Sequence, residues 1–339
     1  MAIRLREMRA ALFVVVSLCC GLLPAAAQDY FKGKSITLYA GFTPGGGVDN
    51  EMRLVAQYFG RFVRGEPNIL PMNMPGAGGI LLGNYLYSIA KPDGLTIGMP
   101  GRSGFVLAGA IGDKNVKYDL PKFTFIGSSA PSDDMIWLRK DLNIKTYDQL
   151  RTSKQTIVLG GLAATSSTVA LPTVLAKYEN LPIKVISGFT GLNEVSLAME
   201  RGEVDGIYTH ASTLRPDLVT SGAFVPIAQS FPIEPGIVVI TEIAKNPREK
   251  ALLNLLLAPS RLGAPVLAPP GLPPEVAKEL RDAYVAMASS EDYQRDAAKR
   301  DIEVGKPSSG ADLQAYVEGA LSKVDPDVIA EFVSLTTGK

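Results

Sequence analysis

Apolar positions along the chain switch period in a regular alternation. Ser35–Phe42 (SITLYAGF) is a short, dense apolar run of the kind that fills a buried strand, and it stops at Thr43-Pro44-Gly45-Gly46-Gly47. Behind it Val48, Met52, Val55, Ala56, Phe59 and Val63 recur at the spacing of one helix face. Asn68–Met74 reads as a second strand, with Pro71 marking an edge or a bulge, because proline cannot donate to a ladder. It runs into Pro75-Gly76-Ala77-Gly78-Gly79 and a helix through Ala90. Asp93-Gly94 turns the chain into a third strand, Leu95–Met99, and the loop Pro100–Gly104 leads into the next helix. After a fourth strand at Phe123–Gly127, the composition changes at Ser128-Ser129-Ala130-Pro131-Ser132. A second series follows, with strands near Met135–Leu138, Ile157–Leu159, Ile183–Ile186, Val204–Tyr208 and Phe224–Ala228. Prolines 259, 265, 269, 270, 273 and 274 predict an extended crossing segment that ends at a helix. Two helices, over about Glu275–Lys299 and Ala311–Val324, close the chain.

Alternating strands and helices imply an α/β protein with mostly parallel sheets covered on both faces, here in two lobes. The two breaks assign residues 28–127 with 263–339 to the first lobe and 128–262 to the second. No short-period repeat or low-complexity tract interrupts the pattern.

The first 27 residues read differently. Arg4, Arg6 and Arg9 precede an apolar run from Ala10 to Pro24, and Ala25-Ala26-Ala27 precedes Gln28. That is the layout of a cleaved secretory signal peptide, too short for a stable span, and it predicts a periplasmic mature chain beginning at Gln28. Cys19 and Cys20, the two cysteines of the chain, fall inside this leader. Cys20 lacks the small residue before it that a lipoprotein site carries, which makes a lipid anchor there the weaker alternative. The mature chain then has no thiol for a disulfide, a nucleophile or a metal site.

Composition narrows the function further. The 339 residues carry 34 Lys and Arg against 34 Asp and Glu, with 46% hydrophobic residues and one His. Balanced charge excludes a strongly basic nucleic-acid binder. One histidine and no mature cysteine leave no zinc site and no serine-hydrolase triad, and Gly101-Arg102-Ser103-Gly104 lacks the nucleophile-elbow spacing. Neither a metal nor a cofactor is expected, and an enzyme, such as a secreted hydrolase, is the weak rival reading.

The glycine loops carry the chemistry. A loop without side chains lets several backbone N–H groups converge, and the following helix adds its unpaired first-turn donors and the positive end of its dipole. Phe42–Gly47 and Pro75–Gly79 both follow strands of one sheet, so both face its carboxyl edge. The alternative is that these glycines only make tight turns. The second loop departs from a dinucleotide fingerprint at Leu81, no acidic residue ends Leu95–Met99, and no G-K-[ST] is present. A carboxylate fits this pair of loops better than a nucleotide phosphate.

Five blocks occur in order: GFTPGGGVD, PGAGG about thirty residues later, KPDGLTIGM, SGFTGLNEVSLAMERGEVDGIY and LAPPGLPPEVAKEL. Together they resemble the extracytoplasmic solute receptors of tripartite tricarboxylate transporters, the Bug family of periplasmic binding proteins. The resemblance covers essentially the whole mature chain. It implies a type 2, Venus-flytrap architecture that closes on a small organic acid and hands it to the large and small membrane subunits of a transporter. It implies a monomer without nucleic-acid partners or membrane insertion. A receptor that feeds a sensor protein would use the same lobes. On this sequence the implied ligand-binding residues are Phe42, Thr43, Pro44, Gly45, Gly46 and Gly47 in the first loop and Gly76, Ala77, Gly78 and Gly79 in the second. Arg102 and Ser103 follow the third strand, and the second lobe supplies Thr165, Ser166, Ser167, Gly188, Thr190 and Asn193. Departures from the family pattern fall at Val48, where a threonine is frequent, at Val169 in place of a histidine, at Phe189-Thr190 in place of Tyr-Lys, and at Arg102, where small polar residues are usual.

Several side chains have two readings. Arg102 is either a fork for a second carboxylate or a solvated loop residue. Asp133 and Asp134 read as exposed acids at a helix start, or as groups at the cleft mouth that repel extra carboxylates or accept a ligand amine. Trp137 reads as core rather than pocket wall, and Thr165–Ser167 as ligand donors, helix caps or both.

Overall fold

The computed structural model describes residues 30–337 except 102, 130–133, 163–165, 190–191, 212–213, 301, 303 and 323. The leader, both cysteines, Gln28 and Asp133 lie outside the described residues. In chain order the strands are β1 (Ser35–Ala40), β2 (Asn68–Asn73), β3 (Thr96–Met99), β4 (Thr124–Ser128), β5 (Asp134–Arg139) and β6 (Ile157–Gly160). They continue with β7 (Ile183–Ile186), β8 (Gly206–His210), β9 (Phe224–Gln229), β10 (Val238–Val239), β11 (Val266–Ala268) and β12 (Ser308–Ser309). The described helices are α1 (Gly47–Phe59), α2 (Ile80–Ser88), α3 (Ser103–Ile111), α4 (Tyr147–Thr152), α5 (Ser167–Tyr178) and α6 (Leu192–Glu200). After them come α7 (Pro216–Thr220), α8 (Pro247–Leu262), α9 (Pro274–Ala288), α10 (Glu291–Lys299), α11 (Gly310–Tyr316) and α12 (Pro326–Thr337).

These strands form two six-stranded sheets, in the orders β12-β4-β11-β3-β1-β2 and β10-β9-β5-β8-β6-β7. β1 is parallel to β2 and β3, and β6 is parallel to β7 and β8. One reversed strand sits inside each sheet: β11 antiparallel to β3 and β4, and β5 antiparallel to β8 and β9. Each is the strand that follows a crossing between the sheets. β2 is an edge strand, which accommodates Pro71 opposite Leu38.

Alternate side chains of each strand feed different cores, as the period of two requires. In β5, Ile136 and Leu138 join one buried cluster while Met135 and Trp137 join another with Val195 and Met199 of α6. In β4, Phe125 and Ile126 divide in the same way. Helices therefore cover both faces of each sheet. The largest cluster runs from Leu82 and Phe105, above the first sheet, through α8 to Ile136 and Tyr208 of the second. At the first crossing, the Ser129 hydroxyl donates to the buried Glu51 carboxylate of α1 at 2.6 Å, tying this segment to the helix behind the first glycine loop.

Three expectations change. The helix expected over Glu275–Lys299 is broken at Ser289 and Ser290, because the Ser290 hydroxyl caps a new start by accepting from the Tyr293 N–H. The crossing segment expected from Pro259 is helical through Leu262: Pro259 sits in the last turn of α8, and Gly263 N–H closes that turn on the Pro259 carbonyl. The chain also does not close with a helix over Ala311–Val324. α11 passes into a single π-helical turn, Val317–Leu321, and α12 follows with Pro326 at its start. α12 packs on α8 and α5, so residues counted with the first lobe lie against helices of the second sheet.

Candidate functional site

Strand register builds the first half of the site. Ala40 lies opposite Asn73 on one side and Met99 on the other, so β1, β2 and β3 end level and release their loops at one edge. The loops then pack on one another through glycine. A Cβ on Gly41 would lie 3.0 Å from the Pro100 carbonyl oxygen and 3.1 Å from Gly79 Cα. One on Gly104 would fall on the Gly78 backbone, and the Phe42 ring occupies the space beside Gly101. Ala77, Gly78 and Gly79 all have positive φ (48°, 62° and 96°), which turns the second loop back under α2.

Asp49 holds the first loop in shape. Its Oδ2 accepts from the Gly45 N–H at 2.8 Å and from Arg53 Nε at 2.9 Å, and its Oδ1 accepts from Asn73 Nδ2 at 2.8 Å. Asn73 Nδ2 also donates to the Phe42 carbonyl at 2.9 Å, stitching β2 to the loop after β1. Gly45 is thus committed to Asp49, whereas the N–H groups of Gly47 and Val48, in the first turn of α1, have no acceptor among the described residues. These are donors of the kind that receive an anion at a helix start.

Burial alone would raise the Asp49 carboxyl. The hydrogen bonds from Arg53, Gly45 and Asn73, with the Arg53 charge, outweigh it and bring the pKa down to about 2. A carboxylate with a depressed folded-state pKa stabilises the fold fully above its unfolded value near 4, and that stabilisation is lost as pH falls through about 2. Asp49→Ala is expected to cost about 2–3 kcal/mol at neutral pH, because buried donors lose their acceptor. It should also flatten the loss of stability between pH 4 and pH 2. Urea titrations of both proteins across that range check this, and parallel pH profiles would remove Asp49 from the role.

The second half is a pocket of about 320 Å³ at the matching edge of the second sheet. Gly188 N–H donates to the Leu162 carbonyl at 2.8 Å and Phe189 N–H to the Gly161 carbonyl at 3.3 Å, joining the loops after β6 and β7. Thr168 Oγ1 accepts from the Leu162 N–H at 3.0 Å and lies 2.7 Å from Ser166 Oγ. Ser166, Ser167 and Thr168 line one side, and Tyr208, Thr209 and His210 another. Because β5 runs against β8, Asp134 pairs with His210 and its side chain reaches the same edge. Leu107 brings α3 to this pocket one turn after Gly104 meets Gly78, so one helix touches both halves of the site.

No family model matches the chain. A TctC solute-binding protein from Polaromonas has 17% sequence identity and a TM-score of 0.66, with 91% of this chain and 99% of that one covered. MatC from Rhodopseudomonas palustris, with bound malate, has 20% identity and a TM-score of 0.50, covering 88% of this chain and all of that one. The fold is that of the two-lobed solute-binding proteins. It is the architecture that the ordered sequence blocks imply, and the Polaromonas protein that shares it is a solute-binding protein. In sequence, a Cupriavidus necator protein described as a UPF0065 protein in the gbd 5′ region is 41% identical over 76 residues, so the match spans 22% of the length of each chain.

On this solute-binding fold, Phe42 through Gly47 and Gly76 through Gly79 lie on the first edge, while Ser166, Ser167 and Gly188 belong to the second. Arg102, Thr165 and Thr190 lie outside the described residues, as do the side chains of Ser103 and Asn193. The expectation that Asp134 is an exposed acid at a helix start is wrong: it opens strand β5 and is 6% exposed. Trp137 is core, with its indole N–H donating to the Thr209 carbonyl at 3.0 Å. Sequence reading missed Asp49, Arg53 and Asn73, although Asp49 stood four residues from both Gly45 and Arg53. It also missed Tyr208, Ser260 and Phe332, which no local signal links to a site.

Proposed function

We propose that this chain is an extracytoplasmic solute receptor of the tricarboxylate-transporter type, which captures a small organic carboxylate between two lobes and delivers it to membrane subunits. The observation that carries this reading is the level ending of β1, β2 and β3. It gathers two glycine loops and the first turn of α1, with its unpaired donors, at one edge, while α3 runs from these loops to the pocket at the edge of the second sheet. Backbone donors and a helix dipole bind an anion without a cationic side chain. The malate bound by MatC, on the same fold, supports a carboxylate as the guest. The described residues hold no helix long and apolar enough to cross a membrane, and the basic, apolar leader ending at Ala27 supports export.

In this reading the lobes comprise residues 28–127 with 263–339, and residues 128–262, and they hinge at the two crossings. A thermal-shift screen of the mature protein against organic acids should yield carboxylates that raise its midpoint, because a ligand of the native state stabilises it by mass action. Solution scattering at saturation should then show a smaller radius of gyration. A blank screen would end the carboxylate reading. Confirmed binding with an unchanged profile would end the hinge.

A further inference from the structure

We infer that the second-lobe pocket selects a ligand whose end remote from the carboxylate is a hydrogen-bond donor rather than a second carboxylate, and that Asp134 makes the selection. The inference rests on the reading above, in which one carboxylate is held at the glycine loops, and it names the chemistry of the other end.

Asp134 is a built feature of the pocket. Its Oδ2 accepts from the Ser260 hydroxyl at 2.7 Å, which fixes the carboxylate from α8, beside the second crossing. Its carbonyl accepts from both the N–H and the hydroxyl of Ser230 at 2.9 Å, and Ser230 Oγ lies 2.6 Å from the Tyr208 hydroxyl. The Tyr208 phenol stays neutral: burial first, and then the charge of Asp134, push its pKa well up. The described lining holds no lysine or arginine; besides Asp134 and Tyr208, its titratable group is His210, paired with Asp134 across the ladder. Leu107, Leu162, Leu171, Leu192, Leu256 and Phe332 supply the apolar remainder.

A second ligand carboxylate here would meet a fixed like charge, and the two would repel. A hydroxyl or ammonium would instead donate to the carboxylate, and ammonium gains the charge-assisted bond. The Leu and Phe walls suit an apolar body between the two ends. Selection by a repulsive group is as effective as selection by an attractive one, and Asp134 acts as both.

Straight-chain acids of four to eight carbons, carrying a methyl, hydroxymethyl, aminomethyl or carboxylate terminus, form a series in which only the remote end changes. Calorimetry on the mature protein at pH 8 should show the amino or hydroxy acid binding about tenfold or more tighter than the diacid of equal length. In Asp134→Asn the preference for the amino or hydroxy acid over the diacid should fall about tenfold. If the variant does not fold, the order of affinities on the parent protein still decides. A diacid that binds tightest overturns the inference and assigns the remote end to a cation such as Arg102. Equal affinities for all four termini overturn it by removing Asp134 from ligand contact. If no member of the series binds but the wider screen yields a carboxylate, the inference falls and the receptor reading stands; if that screen is blank, both fall.

Discussion

Gly46→Val is expected to leave the fold intact and to weaken carboxylate binding about a hundredfold or more. Gly46 has φ −83° and ψ 170°, a conformation open to any residue, and the atom nearest an added Cβ is the Thr43 carbonyl oxygen at 3.7 Å. As the residue capping α1 it makes no side-chain bond, so the change in helix capping should cost only about 1 kcal/mol. A branched side chain there adds bulk at the residue just before the first-turn donors of Gly47 and Val48, where the anion is proposed to sit. Hydrogen bonds to a charged group are worth roughly 1.5–3 kcal/mol each, and losing two corresponds to about two to four decades in Kd. Thermal unfolding with calorimetry against a carboxylate from the screen separates the two effects. Near-native affinity in a folded Gly46→Val protein would place the anion elsewhere.

Gly79→Ala is expected to do the reverse and damage the fold itself. Gly79 has φ +96°, and its added Cβ would overlap the Pro100 carbonyl oxygen. The obstacle is backbone, held by the neighbouring Gly41 N–H bond to the Met99 carbonyl, so no rotamer change relieves it. Steric overlap joined to left-handed strain belongs with the costliest single substitutions, about 4 kcal/mol or more. For a domain of this size that is a fall in Tm on the order of 10 °C. Gly47→Ala is the control: nothing lies within 4 Å of its added Cβ, and alanine is the better helix former. A Gly79→Ala protein within about 1 kcal/mol of its parent would mean that these loops separate freely and do not form one rigid edge.

Much of the architecture is legible in the amino-acid sequence because it depends on local rules. Dense apolar runs bounded by glycine and proline mark β1, β2 and β3, and the apolar spacing from Val48 marks α1. Pro71 marks an edge, because a missing donor excludes a central strand. That two glycine loops after neighbouring strands share one edge is legible too, since parallel strands leave their carboxyl-end loops little choice of direction. The break at Ser290 is legible in principle but masked by the apolar periodicity on either side of it.

The sequence by itself therefore determined that the chain is an α/β protein, where most of its strands lie, and that two glycine loops follow neighbouring strands. Tertiary structure alone decided what surrounds those loops. Asp49 reaches Asn73 across 24 positions and Asp134 reaches Ser260 across 126, and no local spacing encodes such pairs. Whether Asp134 is a solvated acid or a buried one depended on the direction of β5. That strand runs against β8 because the chain enters the second sheet from the crossing, and this reversal carries the carboxylate to the carboxyl edge of the sheet, inside the pocket.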